Sequence, residues 1–305
     1  MAEAGRLNSW NDGAAKSAIL DFVARVTEAG GMDFVPPAER VATFDNDGTL
    51  CCEQPFQTQG FFLFDRVKRL SANKPAMAER QPFKAVLEED FNTLFGLGKQ
   101  AIFELFMATH AGMTDEDFDG IARQWLATAK HPKFGRLFKE CAYRPQIELL
   151  AYLRANGFKT YVVTAGGIDF VRAFSEEVYG VPREQVVGSS TKTRYDLTGE
   201  RVSLMKIPEL NSFADREAKP LNIGLHIGRR PLLAFGNSDG DLAMMRYVKS
   251  GPGARLALLL HHDDGEREVE YDREFRLSPL AEALDKADDY GIAVVSMRRD
   301  WKTVF

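Results

Sequence analysis

Val41-Ala-Thr-Phe-Asp45-Asn-Asp47-Gly48-Thr49-Leu50 is the stretch that decides the fold, because an apolar strand pattern runs into two carboxylates and a Gly-Thr turn. Side chains at positions i and i+2 of a strand share one side, so Asp45 and Asp47 are expected together at the carboxyl end. Gly48 permits a sharp turn that brings backbone close to a ligand. Two such carboxylates repel unless a cation neutralises them or one holds a proton, and both arrangements serve catalysis. A strand that merely ends in an Asp/Asn-rich turn is the alternative interpretation of this segment alone.

A second apolar strand ends in a hydroxyl group. Lys159-Thr-Tyr-Val-Val-Thr164 is followed by Ala165, Gly166 and Gly167. A hydroxyl beside the exposed N–H groups of a glycine-rich turn makes a cradle for a phosphate group. Taken alone, Thr164 is better explained as a buried strand residue.

Two later segments add a cation and further acids. Lys219 stands in Arg216-Glu-Ala-Lys-Pro220, and an apolar run at 231–235 leads into Gly236-Asn237-Ser238-Asp239-Gly240-Asp241. Taken alone, Lys219 is better explained as a solvated lysine. The order of the four segments, each on the element expected for it, is what indicates a functional site.

In that order the segments resemble the four sequence motifs of the haloacid dehalogenase-like superfamily, across most of residues 38–262. The resemblance implies an α/β fold: a doubly wound, mostly parallel, Rossmann-like sheet core with an inserted helical cap. It also implies a magnesium-dependent phosphatase that hydrolyses a small phosphomonoester. The implied site residues are the catalytic Asp45, Asp47, Thr164 and Lys219, the phosphate-binding Thr49, Ala165 and Gly166, and the Mg²⁺ ligands Asp45, Asp47, Asn237 and Asp241.

The implied mechanism follows from what phosphoryl transfer requires, namely an in-line nucleophile, neutralised phosphate oxygens and a proton for the leaving oxygen. Asp45 would attack phosphorus to form an aspartyl-phosphate. Asp47 would protonate the leaving alkoxide and then activate the hydrolytic water. Mg²⁺ and Lys219 would offset the negative charge.

One position departs from the superfamily pattern. The fourth motif usually reads G-D-x-x-x-D, and here Asn237 replaces the first acid while Asp241 supplies the second. An Asn carbonyl oxygen is a legitimate ligand for a hard cation but brings no charge. The sequence therefore leaves open whether Asn237 or Asp241 contacts the ion.

Asp47 also narrows the branch of the superfamily. Dehalogenase relatives lack an acid two residues after the nucleophile, since a halide leaves without a proton, and cation-pump relatives carry Thr there. The helical insert and residues 166–170 are similar to the phosphoserine-phosphatase-like branch. A phosphomutase or phosphotransferase, and a catalytically weak member that binds a phosphorylated ligand, are the alternatives. Arg66, Arg69 and Arg144 are candidates for binding a carboxylate group of the substrate, but each is better explained as a solvated or structural residue, so no arginine is assigned to that role.

Composition is typical of a soluble enzyme. The 305 residues are 45% hydrophobic, and 39 basic against 44 acidic residues give a net charge of −5, which excludes a basic surface for nucleic acid. No apolar run reaches the roughly 18 residues that span a bilayer. A small phosphorylated substrate is therefore the expected partner, with no nucleic acid and no membrane, and the oligomeric state stays open.

Three cysteines, two of them adjacent, are not a disulfide framework and indicate the cytoplasm. The periplasm is the alternative if a signal peptide has been removed.

A long insert separates the first two motifs. Residues 52–141 carry three helix-period apolar patterns, nothing that alternates like a sheet, and 12 of the chain's 22 phenylalanines. The sequence thus predicts two domains, a core formed by 1–51 and 142–305 and a helical cap formed by 52–141.

Outside the insert, strand and helix patterns alternate, which predicts a parallel sheet with right-handed crossovers. Ligands bind such sheets beyond the carboxyl ends of the strands, so Asp45, Thr164 and Asn237 are expected to converge. Helices are predicted at 14–28, 146–155, 168–179, 241–247 and 277–286, and strands at 41–44, 159–164, 184–189, 191–201, 232–235, 255–260 and 292–297.

The run His261-His262-Asp263-Asp264 follows the predicted strand at 255–260. Adjacent histidines in a strand point to opposite sides, which makes joint ligation of one ion awkward. A polar loop that closes a strand is the favoured interpretation, and a substrate-lining role is the alternative.

Overall fold

The computed structural model describes residues 7–198 and 200–305. Within these residues seven strands form one sheet: β1 Val41–Phe44, β2 Lys159–Gly167, β3 Val186–Thr198, β4 Arg201–Ser212, β5 Leu233–Gly236, β6 Leu256–His261 and β7 Ala293–Ser296. Their order across the sheet is β4-β3-β2-β1-β5-β6-β7. All neighbours pair in parallel except β3 with β4. The predicted doubly wound, mostly parallel α/β fold is confirmed, and the chain order reverses at β1.

Fourteen α-helices lie in the described residues: α1 Ala14–Thr27, α2 Thr58–Ala72, α3 Pro75–Ala78, α4 Phe83–Leu87, α5 Phe91–Gly96, α6 Gly98–His110, α7 Asp115–Leu126, α8 Arg144–Ala155, α9 Ile168–Arg172, α10 Ser175–Tyr179, α11 Ala218–His226, α12 Leu242–Lys249, α13 Glu282–Asp285 and α14 Met297–Asp300. None of these described helices combines the length and the hydropathy that a membrane crossing needs.

Local chemistry explains where individual helices begin and end. At the start of α7, the Thr114 hydroxyl accepts the Asp117 N–H at 3.1 Å, and the Asp117 carboxylate accepts the Thr114 N–H at 3.4 Å. This capping box satisfies two N–H groups that a helix start leaves free. Just beyond the end of α8, Gly157 has φ +78°, a conformation that favours glycine.

Helices cover both faces of the sheet. Along β6, Leu258 and Leu260 are buried in one hydrophobic cluster while Ala257 and Leu259 are buried in the other. Successive strand side chains point to opposite faces, so a strand buried on both sides reads as a continuous apolar run. This is why the central strands could be predicted from sequence.

The insert 52–141 is helical throughout its regular structure and contains α2 to α7. Part of it has its own hydrophobic cluster, in which Phe56, Phe64 and Phe83 are buried. Phe62 instead packs into the main core, with its ring centroid 5.0 Å from that of Phe170 on α9. The insert is thus divided between two clusters, and its status as a separate domain remains a prediction.

Three predictions of local structure are wrong. Residues 184–189 and 191–201 are not two short strands, because β3 runs continuously and pairs with β4, which was not predicted. The apolar residues of β4, such as Val202 and Leu204, face solvent, and an edge strand tolerates its Pro208. Residues 168–179 form two short helices. Only Glu282–Asp285 of the helix predicted at 277–286 is helical, since Pro279 disfavours the helical conformation of the residue before it.

Candidate active site

The site lies where three neighbouring strands end. The Asp45 N–H donates to the Phe235 carbonyl at 2.9 Å, so the residues that follow β1 and β5 are held side by side. Thr164 lies in β2, on the other side of β1. A cavity of about 330 Å³ opens here, and its polar floor includes Asp45, Asp47, Thr164, Ala165, Gly166 and Lys219. Thr49, Asn237 and Asp241 are buried beneath this floor.

Lys219 joins two carboxylates in the interior. Its Nζ donates to Asp45 Oδ1 and to Asp241 Oδ1, both at 2.6 Å, and to the Val163 carbonyl at 3.0 Å. Burial alone would lower the pKa of Lys219, but the Asp241 and Asp45 carboxylates outweigh it and raise that pKa above its usual value. The lysine therefore carries its charge and holds the Asp45 carboxylate in place. The interpretation of Lys219 as a solvated lysine, which the residue alone favoured, is wrong because the side chain is buried.

The two acids of the first motif differ from ordinary surface carboxylates. Burial raises the pKa of Asp45, the Asp241 carboxylate raises it further, and Lys219 opposes both. Burial raises the pKa of Asp47 to about 6, against the effect of a hydrogen bond from the Asn46 side chain. A carboxyl group with a pKa near 6 can both hold and release a proton near neutral pH, as a general acid and base must.

The turn predicted after Thr164 is instead part of β2, which runs to Gly167 with a register shift against β3, and its glycines are closely surrounded. The Gly166 N–H donates to Thr164 Oγ1 at 2.9 Å. A Cβ at Gly166 would lie 3.2 Å from that oxygen and 3.5 Å from Asp47 Oδ2, so Asp47 and Thr164 face the same point. The Gly167 N–H donates to Gln59 Oε1 at 2.7 Å, which ties α2 of the insert to the end of β2.

Asp241 shapes the fourth-motif loop. Its Oδ2 accepts the N–H groups of Asn237 at 2.9 Å and Ser238 at 3.1 Å, while its Oδ1 accepts the Lys219 ammonium. Both carboxylate oxygens are therefore engaged by this chain. The arrangement favours Asp241 as the residue that positions the loop and Lys219.

Asn237 lies in a network that includes a carboxylate which the sequence did not single out. Its Oδ1 accepts the Thr49 hydroxyl at 2.9 Å, and its Nδ2 donates to Glu53 Oε1 at 2.8 Å. Glu53 also accepts the Tyr271 hydroxyl at 2.8 Å, and burial raises its pKa well above the usual value. The available signal was an acid placed directly after the apolar Leu50-Cys51-Cys52 and only six residues beyond Asp47.

The turn at Gly48 depends on having no side chain. Its φ is +78°, and a Cβ would lie 2.1 Å from Asn237 Nδ2 and 2.3 Å from Glu53 Oε1. Its carbonyl oxygen lies 2.7 Å from Nε2 of the buried His262. His261 lies instead near Asp272, at 3.7 Å, so the two histidines face different groups and do not form a joint metal site.

The family of this chain can now be stated. The family model for haloacid dehalogenase-like hydrolases matches residues 42–246, which is more than half of the chain. The chain belongs to the haloacid dehalogenase-like hydrolases. The predicted family and hydrolase class are confirmed. No curated protein sequence matches the chain.

Solved structures with this fold include proteins of unknown function. A conserved protein from Anaerococcus prevotii has a TM-score of 0.59 at 16% identity, covering 97% of this chain and 94% of its own. A protein from Bordetella pertussis has a TM-score of 0.52 at 13% identity, covering 84% and 98%. A phosphoserine phosphohydrolase-like protein from Francisella tularensis aligns with a TM-score of 0.41 at 16% identity, covering 82% and 98%. The first two likenesses concern the fold alone. The substrate must be inferred from this hydrolase's own site.

The residues around the cavity floor fit a hard divalent cation. Asp45, Asp47 and Asp241 are three carboxyl groups beside one ammonium, that of Lys219, and burial raises the pKa of both Asp45 and Asp47. In the described part of the chain no three acidic, imidazole or thiol groups converge as a ready-made metal cage. Mg²⁺ commonly takes one or two carboxylates and completes its shell with water and substrate oxygens. The groups that could hold Mg²⁺ are the Asp45 carboxylate, the backbone carbonyl oxygen of Asp47 and the side-chain carbonyl oxygen of Asn237.

Proposed function

We propose that this haloacid dehalogenase-like hydrolase is a Mg²⁺-dependent phosphatase of small phosphomonoesters that works through an aspartyl-phosphate on Asp45. The observation that carries the proposal is the Lys219 ammonium, 2.6 Å from both Asp45 and Asp241, at the floor of a cavity that also exposes Asp47 and Thr164. A buried, positioned carboxylate with an acid beside it is the pair that phosphate ester hydrolysis requires.

In the first step an Asp45 carboxylate oxygen forms a bond to phosphorus, and the bond from phosphorus to the ester oxygen breaks. The Asp47 carboxyl gives its proton to that oxygen, so the alcohol leaves neutral. In the second step Asp47 takes a proton from water, whose oxygen attacks phosphorus and releases phosphate from Asp45. Thr164 holds the phosphoryl oxygens together with the backbone N–H groups of Ala165 and Gly166, and the Gly166 N–H then exchanges its contact with Thr164 Oγ1 for one with the phosphate.

Mg²⁺ fits the Asp45 carboxylate and the carbonyl oxygens of Asp47 and Asn237, and when bound it supplies positive charge beside the phosphate oxygens. Lys219 holds Asp45 and offsets part of its charge. We also propose that residues 52–141 act as a cap, since side chains of α2, α5 and α6 form the wall of the cavity that faces the catalytic floor.

The test is phosphate release from a panel of phosphomonoesters by wild type, Asp45→Asn and Asp21→Asn, each with and without Mg²⁺. Asp21 is an exposed acid on α1 and serves as the matched control. Asp45→Asn should abolish turnover with its circular dichroism spectrum unchanged, and hydroxylamine should trap an acyl-phosphate on wild type and on Asp21→Asn but not on Asp45→Asn. Turnover by Asp45→Asn above about 10% of wild type would remove Asp45 as the nucleophile.

A further inference from the structure

We propose that the organic group of the substrate is uncharged and apolar, about the size of one aromatic ring or a short alkyl chain. This inference rests on the proposed phosphatase function and names the class of ester that the same site accepts. It is carried by the contrast between the two sides of the cavity. The floor is polar, whereas the facing wall is formed by apolar side chains of the insert, among them Phe56, Phe95, Ile102, Phe103, Leu105 and Phe106.

That wall contributes no charged side chain among the described residues that line the cavity. Its two polar members are neutral amides: Gln57 Nε2 donates to Glu53 at 3.1 Å, and Gln59 Oε1 accepts the Gly167 N–H at 2.7 Å. The buried Gln59 Nε2 has no partner among the described residues and offers the substrate one uncharged donor. An ammonium or carboxylate group on the substrate would lose its water there and meet no counter-charge, which is costly. An apolar group loses nothing and gains burial.

The histidine behind the wall does not supply charge either. His110 stacks on Phe106, with ring centroids 3.9 Å apart, and on Phe118 at 4.3 Å. Burial lowers the pKa of His110 to about 3, so the ring is neutral at physiological pH. Beyond the catalytic floor, the charged lining residues Asp215, Arg216 and Arg276 belong to the opposite, core side. Arg216 and Arg276 are exposed to solvent, and the half-buried Asp215 accepts the Arg216 N–H at 3.0 Å. Solvated charges of this kind bind a substrate ion weakly.

The volume sets the size of the organic group. A dry protein cavity of about 150 Å³ accepts a benzene molecule. The cavity of about 330 Å³ therefore has room for a phosphate on the floor and for one ring, or a chain of similar bulk, against the wall. A long acyl chain or a dinucleotide exceeds it.

The experiment compares esters whose leaving groups are all primary alcohols, so that leaving-group chemistry is held nearly constant. Ethyl, hexyl and 2-phenylethyl phosphate form the apolar series, and phosphoethanolamine and O-phosphoserine form the charged series. The kcat/KM values for hexyl and 2-phenylethyl phosphate should exceed those for ethyl phosphate and for both charged esters by about 10-fold or more. Binding of hexylphosphonate and ethylphosphonate, measured by calorimetry, reports the same preference without turnover.

Two phenylalanines one turn apart on α5 give a matched pair of variants. Phe95 lines the cavity, whereas Phe91 does not, yet both rings pack on Phe56, with centroid distances of 5.2 Å and 4.9 Å. Phe95→Ala should reduce the hexyl-to-ethyl ratio several-fold, in kcat/KM and in phosphonate affinity. Phe91→Ala removes a ring of the same cluster and should leave the ratio unchanged.

The outcomes separate the two proposals. Efficient hydrolysis of O-phosphoserine or phosphoethanolamine, equal to that of the apolar series, overturns the apolar subsite and leaves the phosphatase standing. No hydrolysis of any ester, with hexylphosphonate still bound about 10-fold tighter than ethylphosphonate, overturns the phosphatase and supports the subsite. Absence of both turnover and hexylphosphonate binding overturns both. The wild-type comparison decides the question even if Phe95→Ala does not fold.

Discussion

Asn237→Asp is the change that the structure makes most informative, because the residue touches a carboxylate. Charge counting in the fourth motif alone suggests that an acid here would simply strengthen the cation site. In the structure Asn237 Nδ2 donates to Glu53 Oε1 at 2.8 Å. Asp has the same shape as Asn, so the substitution replaces that donor with a second carboxylate oxygen at the same distance. Two unit charges 2.8 Å apart repel by about 6 kcal/mol at an effective dielectric constant of about 20.

The pair can escape this repulsion by sharing a proton. The folded variant then holds one proton more than the unfolded chain, because a carboxyl pKa is raised above its unfolded value of about 4. Stability from a raised carboxyl pKa is present at low pH and is lost as pH rises towards the folded pKa. The slope is at most about 1.4 kcal/mol per pH unit. Between pH 5 and pH 8, the free energy of unfolding of Asn237→Asp should therefore fall by up to about 4 kcal/mol. The fall should be smaller in wild type, where burial also raises the pKa of Glu53 but the Asn237 amide donates to its carboxylate and favours the ionised form.

The assay is urea denaturation at pH 5, 6, 7 and 8 in metal-free buffer, for wild type, Asn237→Asp and the double variant Asn237→Asp/Glu53→Gln. In the double variant an amide donor at position 53 faces a carboxylate at position 237, the reverse of the wild-type pair. The pH dependence of its free energy of unfolding should therefore be no larger than that of wild type. The double variant's Mg²⁺ concentration for half-maximal activity should be lower than that of Asn237→Asp, whose shared proton competes with the ion. Two results would contradict repulsion between the carboxyl groups at positions 53 and 237. One is that the single variant is as stable as wild type at pH 8, and the other is that the double variant shows the same pH dependence of unfolding as the single variant.

Much of the site could be predicted because parallel strands bring the residues at their carboxyl ends to the same edge of the sheet. Continuous apolar runs gave the positions of β1, β2 and β5, and the polar residues at their ends had to meet at one edge of the sheet. Asp45 and Thr164 lie side by side for that reason, although more than a hundred residues separate them in sequence. The same rule predicted nothing about residues outside strand ends.

The contacts that complete the site depend on packing that no local pattern records. Glu53 meets Asn237 across 184 residues, and Gln59 reaches the Gly167 N–H across 108. Asp241 was a candidate Mg²⁺ ligand in sequence, whereas in the structure its carboxylate is engaged by Lys219 and by two backbone N–H groups. The strand β4 was missed because its apolar side chains face solvent, so hydrophobic alternation did not mark a buried face.

Three further changes test the remaining links. Asp47→Asn should slow alkyl phosphates far more than aryl phosphates, and it should remove the loss of alkyl kcat/KM above about pH 6 that deprotonation of Asp47 causes in wild type; equal losses for both esters would argue against a general acid. Lys219→Met should lower the free energy of unfolding by about 3–5 kcal/mol at pH 8, and by less at pH 5, where Asp45, whose pKa is raised by burial, can take up a proton; equal losses in urea denaturation at both pH values would contradict the buried ion cluster. The last change replaces residues 52–141 of the insert by a short linker. It removes Phe62 and Trp125 from the main core, in which their ring centroids lie 5.0 Å and 6.1 Å from that of Phe170. Because that deletion uncovers aromatic surface on α9, the truncated protein should be recovered as aggregate, as measured by its soluble yield and by size-exclusion chromatography. A monodisperse truncated protein with a cooperative unfolding transition would show that the core folds alone and that 52–141 is an independent domain.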